Sequence, residues 1–313
     1  MKARYWVCLF IIGCLAPFLI YPVFVMQLLC FALFACSFNL LLGYTGLLSF
    51  GHAAFFGSAA YLAGYLMTVA GLTPELAILA GTVCAGLLGY LFGTLAIKRQ
   101  GIYFAMITLA LAQIVYFIAL KADFTGGEDG LQDIPRGKLF GLINLETTYR
   151  IGHKSLELNL YFFIFILFCL AFWLIHRTIH SPFGQVLKGI RENEQRAVSL
   201  GYRVERFKLL AFVISASLTG TAGAMKALVL QLASLTDVSW HTSGEVILMT
   251  LLGGLGTVLG PSVGAITVVT LQEKLSAAGS WVTVIIGAIF VVCVLAFRRG
   301  FVGELGRLLK KSL

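Results

Sequence analysis

Residues 39–52, with the sequence NLLLGYTGLLSFGH, interrupt a long apolar part of the chain with small and polar groups. Three glycines, Gly43, Gly46 and Gly51, fall within nine residues, a density that disfavours a continuous helix. Within a membrane, a broken helix is tolerated where its backbone lines a cavity or is buried in protein. The stretch therefore predicts either a segment of a polar pathway or a glycine-rich hinge whose polar side chains bond one another between helices.

The composition around this stretch is that of a membrane protein. Of the 313 residues, 59% are apolar and 12% are charged, against about 25% charged in ordinary soluble domains. A soluble protein of this length needs a polar shell, and this chain has too little polar sequence to provide one. We therefore expect an all-α polytopic membrane protein with a single domain, residues 1–313, and we exclude the soluble enzymes.

The apolar sequence divides into ten segments, each a candidate for a span of about 20 residues. Their approximate bounds are residues 5–26, 28–42, 47–70, 76–97, 102–120, 158–175, 209–230, 246–259, 263–271 and 281–297. Polar stretches at 121–157, 176–208 and 298–313 separate or follow them. The pattern predicts eight to ten transmembrane helices, because the boundaries at 28 and 47 are weak and residues 246–271 also fit a re-entrant pair.

The start and the packing face of one segment are visible in the sequence. Thr73-Pro74-Glu75 has the residue types of a helix start, with a capping threonine, a proline at the first position and an acid at the positive end. Gly81, Ala85, Gly89 and Gly93 recur every four residues and predict a smooth helix face. Such faces allow backbones to approach closely in lipid.

The distribution of lysine and arginine predicts the orientation. The segment 176–208 carries seven basic residues and three acids, whereas 121–157 carries five basic residues and six acids. Basic residues concentrate on the cytoplasmic side of a membrane. We therefore expect 176–208 and both termini to be cytoplasmic and 121–157 to be periplasmic.

The sequence lacks several motifs that are typical of catalytic and nucleotide-binding sites. It contains no phosphate-binding GxxxxGK[ST] motif, no HExxH motif and no cluster of cysteine and histidine. The seven cysteines lie in apolar stretches, so we expect neither disulfides nor a metal site, and no cofactor. All fourteen acids can be placed in loops or at span ends, which disfavours an ion-coupled carrier. A non-catalytic pore subunit driven by other proteins is the remaining interpretation, and nucleic acid is not an expected partner.

The polar and small residues of 39–52 are the candidate pathway residues. Uncharged hydrogen-bonding groups and a flexible backbone suit contact with a polar solute that passes through the membrane. The candidates are Asn39, Gly43, Tyr44, Thr45, Gly46, Ser49, Gly51 and His52.

Two connecting segments are candidate contact sites. FTGGEDG at 124–130 cannot form a stable helix, and it is either a loop that gates the pore or receives a partner, or an inert turn. SPFGQVLKGIRENEQRAVSLGYRVERFK at 181–208 predicts a short amphipathic helix. Its acids among the bases favour a protein partner over the alternative of anionic lipid headgroups.

Four blocks of the sequence together resemble the permeases of branched-chain amino-acid ABC importers of the LivM type. They are NLLLGYTGLLSFGHAAFFGSAAYLAGYL (39–66), GIYFAMITLALAQIVY with FTGGEDGL (101–116 and 124–131), the 181–225 block that begins SPFGQVLKGIRENEQRAVSLGY, and TLLGGLGTVLGPSVGA (250–265). The resemblance implies a bacterial inner-membrane complex, in contact with membrane lipid, with a second, LivH-type permease, two cytosolic ATPases and a periplasmic binding protein.

The resemblance also implies where the ATPases bind. Glu194-x-x-Ala197-x-x-x-Gly201 matches the pattern of the short helix that docks on an ATPase in importers of this general kind. The expected coupling residues are Arg191, Glu192, Glu194, Ala197 and Gly201. Two alternatives stay open: an importer of urea or short-chain amides, which shares these blocks, and a secondary carrier that uses no ATPase.

Overall fold

The computed structural model describes residues 13–18, 20–151, 154–275, 279, 281–296 and 300–308. Most of this sequence is helical, and residues 13–18 are helical as well. In chain order, the helices are α1 (Pro22–Thr45), α2 (His52–Thr68), α3 (Pro74–Ala96), α4 (Ile102–Lys121), α5 (Leu158–His180), α6 (Pro182–Glu192), α7 (Glu194–Ser199), α8 (Val204–Leu230), α9 (Trp240–Gly253), α10 (Gly260–Leu275), α11 (Trp281–Ala296) and α12 (Gly300–Leu308).

Five of the described helices, α1, α3, α4, α5 and α8, are long and apolar enough to cross a membrane. The bounds of α3 and α4 agree with the expected apolar segments to within about two residues, whereas α5 continues to His180 beyond the expected 175 and α8 begins at Val204 before the expected 209. The expected boundary at residue 28 is wrong, because α1 begins at Pro22 and continues without a break to Thr45. Proline favours the first turn of a helix, and the single polar Gln27 that follows is a good helix former that does not end it.

The connection between α4 and α5 corrects the all-α expectation. After a short 3-10 turn at Asp123–Thr125, it forms two small antiparallel hairpins, β1 (Lys138–Leu139) with β2 (Ile143–Asn144) and β3 (Tyr149–Ile151) with β4 (Lys154–Leu156). Leu139 lies opposite Ile143, and Arg150 lies opposite Ser155. Glycines and β-prone residues in a segment without an apolar helical period allow these strands.

Because α5 joins the hairpins to α6, the two connections lie at opposite ends of a helix of 23 residues. We call the end of the bundle with residues 122–157 the hairpin end, and the end with α6 and α7 the short-helix end.

α8 is at the centre of the bundle and packs against α1, α2 and α3. Small residues make the contact with α3 close, as the sequence predicts. A Cβ on Gly81 would lie 3.0 Å from the Ala59 carbonyl of α2, and one on Gly89 would overlap Ala216 of α8. The smooth face of α3 is therefore a helix-packing face. The start of α3 is also as predicted, except that the Thr73 side chain does not cap it.

The helices form two halves with corresponding contacts. α2 and α3 pack against each other and on α8, and α9 and α10 pack against each other and on α1; α4 touches α2 and α3 as α11 touches α9 and α10. α8 ends at the hairpin end, where Leu131 pairs with Ala233, whereas α1 ends beside α6. Because α1 and α8 run in opposite directions, the halves have the arrangement of an inverted repeat.

Candidate functional site

The predicted helix break is present at the end of α1. Gly46 adopts a left-handed conformation with φ of 75°, and its N–H donates to the Leu42 carbonyl at 3.2 Å. Residues 47–51 are not helical, and α2 begins at His52. A glycine is favoured at this position because a side chain is strained at such a φ. The break thus exposes the last carbonyl groups of α1 to partners from other elements.

Asn39 holds the end of α1 against the turn between α9 and α10, residues 254–259. Its Nδ2 donates to the Thr257 carbonyl at 2.9 Å, and the Gly256 N–H donates to its Oδ1 at 3.1 Å. Gly43 follows one helical turn later, where a Cβ would lie 2.9 Å from the Gly256 nitrogen. Asn39 therefore uses its buried amide to join two elements that are distant in sequence.

His52 lies among aromatic rings at the crossing of α1, α2 and α8. The ring centroids of Phe38, Phe55 and Phe212 lie 5.0, 5.5 and 5.7 Å from its imidazole. Its Nε2 bonds Ser215 Oγ at 3.0 Å, while its buried Nδ1 has no hydrogen-bond partner. This is the geometry of the hinge alternative, in which polar groups bond between helices.

The polar contacts continue from His52 through the crossing of α1 and α8. Ser215 Oγ donates to the Ser37 carbonyl at 2.6 Å, and Ser37 Oγ bonds Thr219 Oγ1 at 2.7 Å. Sequence reasoning did not select Ser37, Ser215 or Thr219. Ser37 is a single hydroxyl in an apolar helix, whereas Ser215 and Thr219 belong to the run SASLTGT at 215–221, a signal that could have indicated them. Hydroxyls that bond across helices are common in membrane proteins.

Thr45, Ser49 and Gly51 are also buried inside the protein, whereas Gly46 is exposed. Thr45 Oγ1 donates to the Leu41 carbonyl at 2.5 Å, and Ser49 Oγ accepts from the Gly51 N–H at 3.2 Å. A Cβ on Gly51 would lie 2.8 Å from the Thr108 carbonyl of α4. Their role in a pathway stays a prediction.

A cavity of about 480 Å³ opens at the short-helix end, and it brings together two groups of residues that the sequence selected separately. Gly43 and Tyr44 come from the candidate pathway, and Arg191 and Glu192 come from the candidate coupling residues. Its lining residues are Gly43, Tyr44, Lys188, Arg191, Glu192 and Gly256. The cavity therefore lies where the break of α1, the helix α6 and the α9–α10 turn meet.

Hydrogen bonds and charges link the three elements around this cavity. The Tyr44 hydroxyl donates to the Gly256 carbonyl at 2.9 Å, and Lys188 Nζ lies 5.7 Å from the centroid of the Tyr44 ring. Arg191 Nη1 donates to the Gly43 carbonyl. Cations are favourable at the carbonyl end of a helix, and α6 presents two of them to the end of α1.

The expected amphipathic helix is present as two short helices that meet at Asn193. Ser181 caps α6 by accepting from the Gly184 N–H at 3.3 Å, and Asn193 caps α7 by accepting from the Arg196 N–H at 2.9 Å. Serine and asparagine are favoured caps because their side-chain oxygens satisfy free N–H groups of the first turn.

The residues of the Glu194-x-x-Ala197-x-x-x-Gly201 pattern shape this segment from within. Glu194 pairs with Lys208 at 2.7 Å, and Ala197 is buried against Ile190 and Val204. Gly201 is exposed and has φ of 85°. Ala197 therefore does not present its side chain to a partner, and the exposed apolar side chains of this segment are Val198, Leu200 and Tyr202.

The 124–136 segment docks on the end of α8. Leu131 and Ala233 form a β-bridge, and Arg136 Nη2 donates to the Val229 carbonyl at 3.0 Å while Nη1 pairs with Glu157 at 2.7 Å. The glycine-rich loop is thus an ordered part of the fold at the hairpin end.

The structure contains a buried ion pair that the sequence analysis did not predict. Lys226 Nζ in α8 lies 2.5 Å from Asp237 Oδ1, and their side chains are 8% and 6% exposed. Asp237 follows α8 in a connecting segment, as expected for an acid, but that connection folds back into the protein. A lysine four residues from the end of an apolar helix is the signal that could have indicated the pair, because such charges need partners.

In the part of the chain that the structure describes, candidate metal ligands do not cluster. Within the ranges given above, no group of three or more histidine, cysteine, aspartate and glutamate residues is close enough to hold an ion.

The comparisons with known proteins agree with one another. The family model described as "Branched-chain amino acid transport system / permease component" matches residues 23–294. The high-affinity branched-chain amino acid transport system permease protein LivM of Escherichia coli (strain K12) is 28% identical over 268 residues, which cover 81% of this chain and 63% of that protein. The same-named protein of Salmonella typhimurium is 29% identical over 269 residues, with the same coverage.

A sugar permease is also similar. The ribose import permease protein RbsC of Bacillus subtilis (strain 168) is 27% identical over 256 residues, which cover 77% of this chain and 73% of that protein. The chain thus spans 63% of the length of the two LivM relatives. No solved structure matches significantly.

Proposed function

The chain belongs to the family of branched-chain amino acid transport system permease components, and from this premise we propose that it is the permease subunit of an ABC importer. It forms part of the pathway for branched-chain amino acids, which a periplasmic binding protein delivers. Separate ATPase subunits supply the energy, and the chain itself catalyses no reaction. The match over residues 23–294 supports this function.

The observation that carries the proposal is the cavity at the short-helix end. An importer driven by separate ATPases needs a cytoplasmic element that passes movement to the pathway. Here α6 lines the same cavity as the end of the broken helix α1, so Arg191 and Tyr44 lie within one site. In this proposal α6 and α7 are the ATPase contact.

In the proposed complex, this chain crosses the bacterial inner membrane with eight to ten helices. Besides the five long helices, α2, α9 and α10 pack against members of that set, and α11 packs against α9 and α10. The short-helix end and both termini are cytoplasmic, and the hairpin end is periplasmic, because basic residues concentrate at 176–208.

A second, LivH-type permease completes the proposed pore. α4 supports this assignment because only 28% of its most apolar stretch is buried, and its exposed residues include Tyr103 and Phe117. Such a face suits either a second permease or lipid. We assign the partner to this face because the resemblance to LivM-type importers implies a pair of related permeases in the complex.

The experiment is uptake by the complete complex in proteoliposomes. We expect import of labelled leucine, with competition by isoleucine and valine and none by urea, acetamide or ribose. Competition by urea or acetamide alone would make the chain an amide importer, and competition by ribose alone would make it a sugar importer like the Bacillus relative.

A further inference from the structure

The Arg191 guanidinium contacts the end of α1, although the residue is partly exposed and belongs to the segment that is proposed to meet the ATPases. Its Nη1 donates to the Gly43 carbonyl in the last turn of α1. The carbonyl end of a helix carries partial negative charge, and an arginine fits it well. Since Arg191 lies in the last turn of α6, this contact joins α6 directly to the helix that breaks at Gly46.

Glycines from two elements make room for this side chain. A Cβ on Gly46 would lie 3.4 Å from Arg191 Cγ, and a Cβ on Gly256 would lie 3.2 Å from Nη1. Gly46 and Gly256 have φ values of 75° and 74°, which also favour glycine. Arg191 thus occupies a slot between the end of α1 and the α9–α10 turn, which we call the glycine slot (Gly43, Gly46 and Gly256).

The glycine slot is closed by contacts that do not involve Arg191. The Tyr44 hydroxyl bonds the Gly256 carbonyl, and Asn39 bonds the backbone of Gly256 and Thr257. The slot is therefore a junction where α1 and the α9–α10 turn, which belong to opposite halves of the bundle, are held together with α6.

We propose that Arg191 is a positioning residue that transmits the movement of α6 to the cytoplasmic end of the pathway. With Arg191 in the glycine slot, the end of α1 and the α9–α10 turn are fixed to α6. Displacement of α6 withdraws the guanidinium from the Gly43 carbonyl, so these two joined elements are no longer fixed to α6. The inference rests on the proposed function and deepens it, because it gives Arg191 a role inside the permease instead of a contact with an ATPase.

The test compares ATP hydrolysis with substrate uptake in the reconstituted complex of the chain, its second permease, the ATPases and the binding protein. Arg191→Gln removes a charge-assisted hydrogen bond, so the variant should assemble normally but hydrolyse about tenfold more ATP for each molecule imported. Arg191→Lys keeps the positive charge but lacks the planar guanidinium group, so it should restore part of the coupling between ATP hydrolysis and uptake. Arg99→Gln, an exposed arginine between α3 and α4, should leave the ratio unchanged.

A wild-type ratio in Arg191→Gln would overturn the proposal. So would a failure of Arg191→Gln, but not of Arg99→Gln, to bind the ATPases, because Arg191 would then be a docking residue. Tyr44→Phe loosens the glycine slot without changing α6 and should also raise the ratio; if Arg191→Gln does not fold, an unchanged ratio in Tyr44→Phe overturns the proposal. Failure of the proposed function itself would appear separately, as an absence of ATP-dependent uptake by the wild-type complex.

Discussion

The ion pair between Lys226 and Asp237 binds α8 to the connection that follows it. Asp237 Oδ2 also accepts from the Ser234 N–H at 3.3 Å, so one carboxylate neutralises a buried lysine and caps a short 3-10 turn. Burial of both charges costs free energy that offsets much of their attraction. The pair therefore matters most when one partner is removed and the other charge stays buried.

Asp237→Asn should lower the free energy of unfolding by about 3–5 kcal/mol, because Lys226 is then buried without its counter-charge. Replacing both residues, Lys226→Met with Asp237→Leu, should recover most of this loss. Thermal unfolding of the purified chain in detergent measures the effect, with Glu146→Gln as an exposed control at the hairpin end. Equal stability of Asp237→Asn and Glu146→Gln would contradict the role given to the pair.

Gly130 and Gly141, at the hairpin end, allow two effects to be measured separately: the strain of a positive φ and the lack of space for a side chain. Both have positive φ, 71° and 72°. A Cβ on Gly130 would overlap the Ala233 carbonyl, whereas a Cβ on Gly141 would meet no described neighbouring atom within 4 Å. Gly141→Ala should cost about 1–2 kcal/mol from the backbone conformation alone. Gly130→Ala should cost roughly 1–3 kcal/mol more, because the docked segment must move. Equal costs in thermal unfolding would show that the contact with Ala233 is unimportant.

At the scale of elements, the sequence predicted most helices because their apolar length and their caps are local properties. α3, α4 and α11 begin within about two residues of the predicted positions, and Ser181 caps α6 as its residue type suggests. The strands of the hairpin end were not predicted, because two- and three-residue strands leave no periodic pattern. The division of the amphipathic segment at Asn193 depends on one capping side chain, a signal too small to separate from the surrounding polar residues.

The exposed side of α7 gives a prediction about the ATPase contact. Ala197 is buried, so a large residue there would disturb the segment itself and could not report on docking alone. Leu200 is 70% exposed, and Leu142, an equally apolar residue at the hairpin end, is 87% exposed. Leu200→Asp should weaken co-purification of the ATPases at least about tenfold, as expected for an apolar contact at an interface, while Leu142→Asp should not. Equal retention of the ATPases by both variants would contradict the assignment.

At the scale of the whole molecule, the sequence predicted the helix break but not how its residues are used. Of the eight candidate pathway residues, Gly43 and Tyr44 line the cavity, whereas Asn39 bonds the α9–α10 turn and His52 bonds α8. Their partners, among them Gly256 and Ser215, are more than 160 residues away along the chain, and residue types alone do not specify which distant helices meet. The correspondence of the two halves depends on the same distant contacts.

The orientation gives a prediction for the intact membrane. A single cysteine in place of Lys138, in a chain without the seven native cysteines, should react with an impermeant maleimide from the periplasmic side. A single cysteine in place of the exposed Gln195 should react only after the inner membrane is opened. The opposite pattern would reverse the topology and with it the assignment of the short-helix end to the ATPases.

The most direct test of the central claim is the energy source of transport by the complete complex in proteoliposomes. With the loaded binding protein outside and ATP enclosed, we expect labelled leucine to accumulate, and we expect no accumulation when ATP is replaced by a non-hydrolysable analogue. Accumulation driven by a proton or sodium gradient without ATP would contradict the account and would make the chain a secondary carrier.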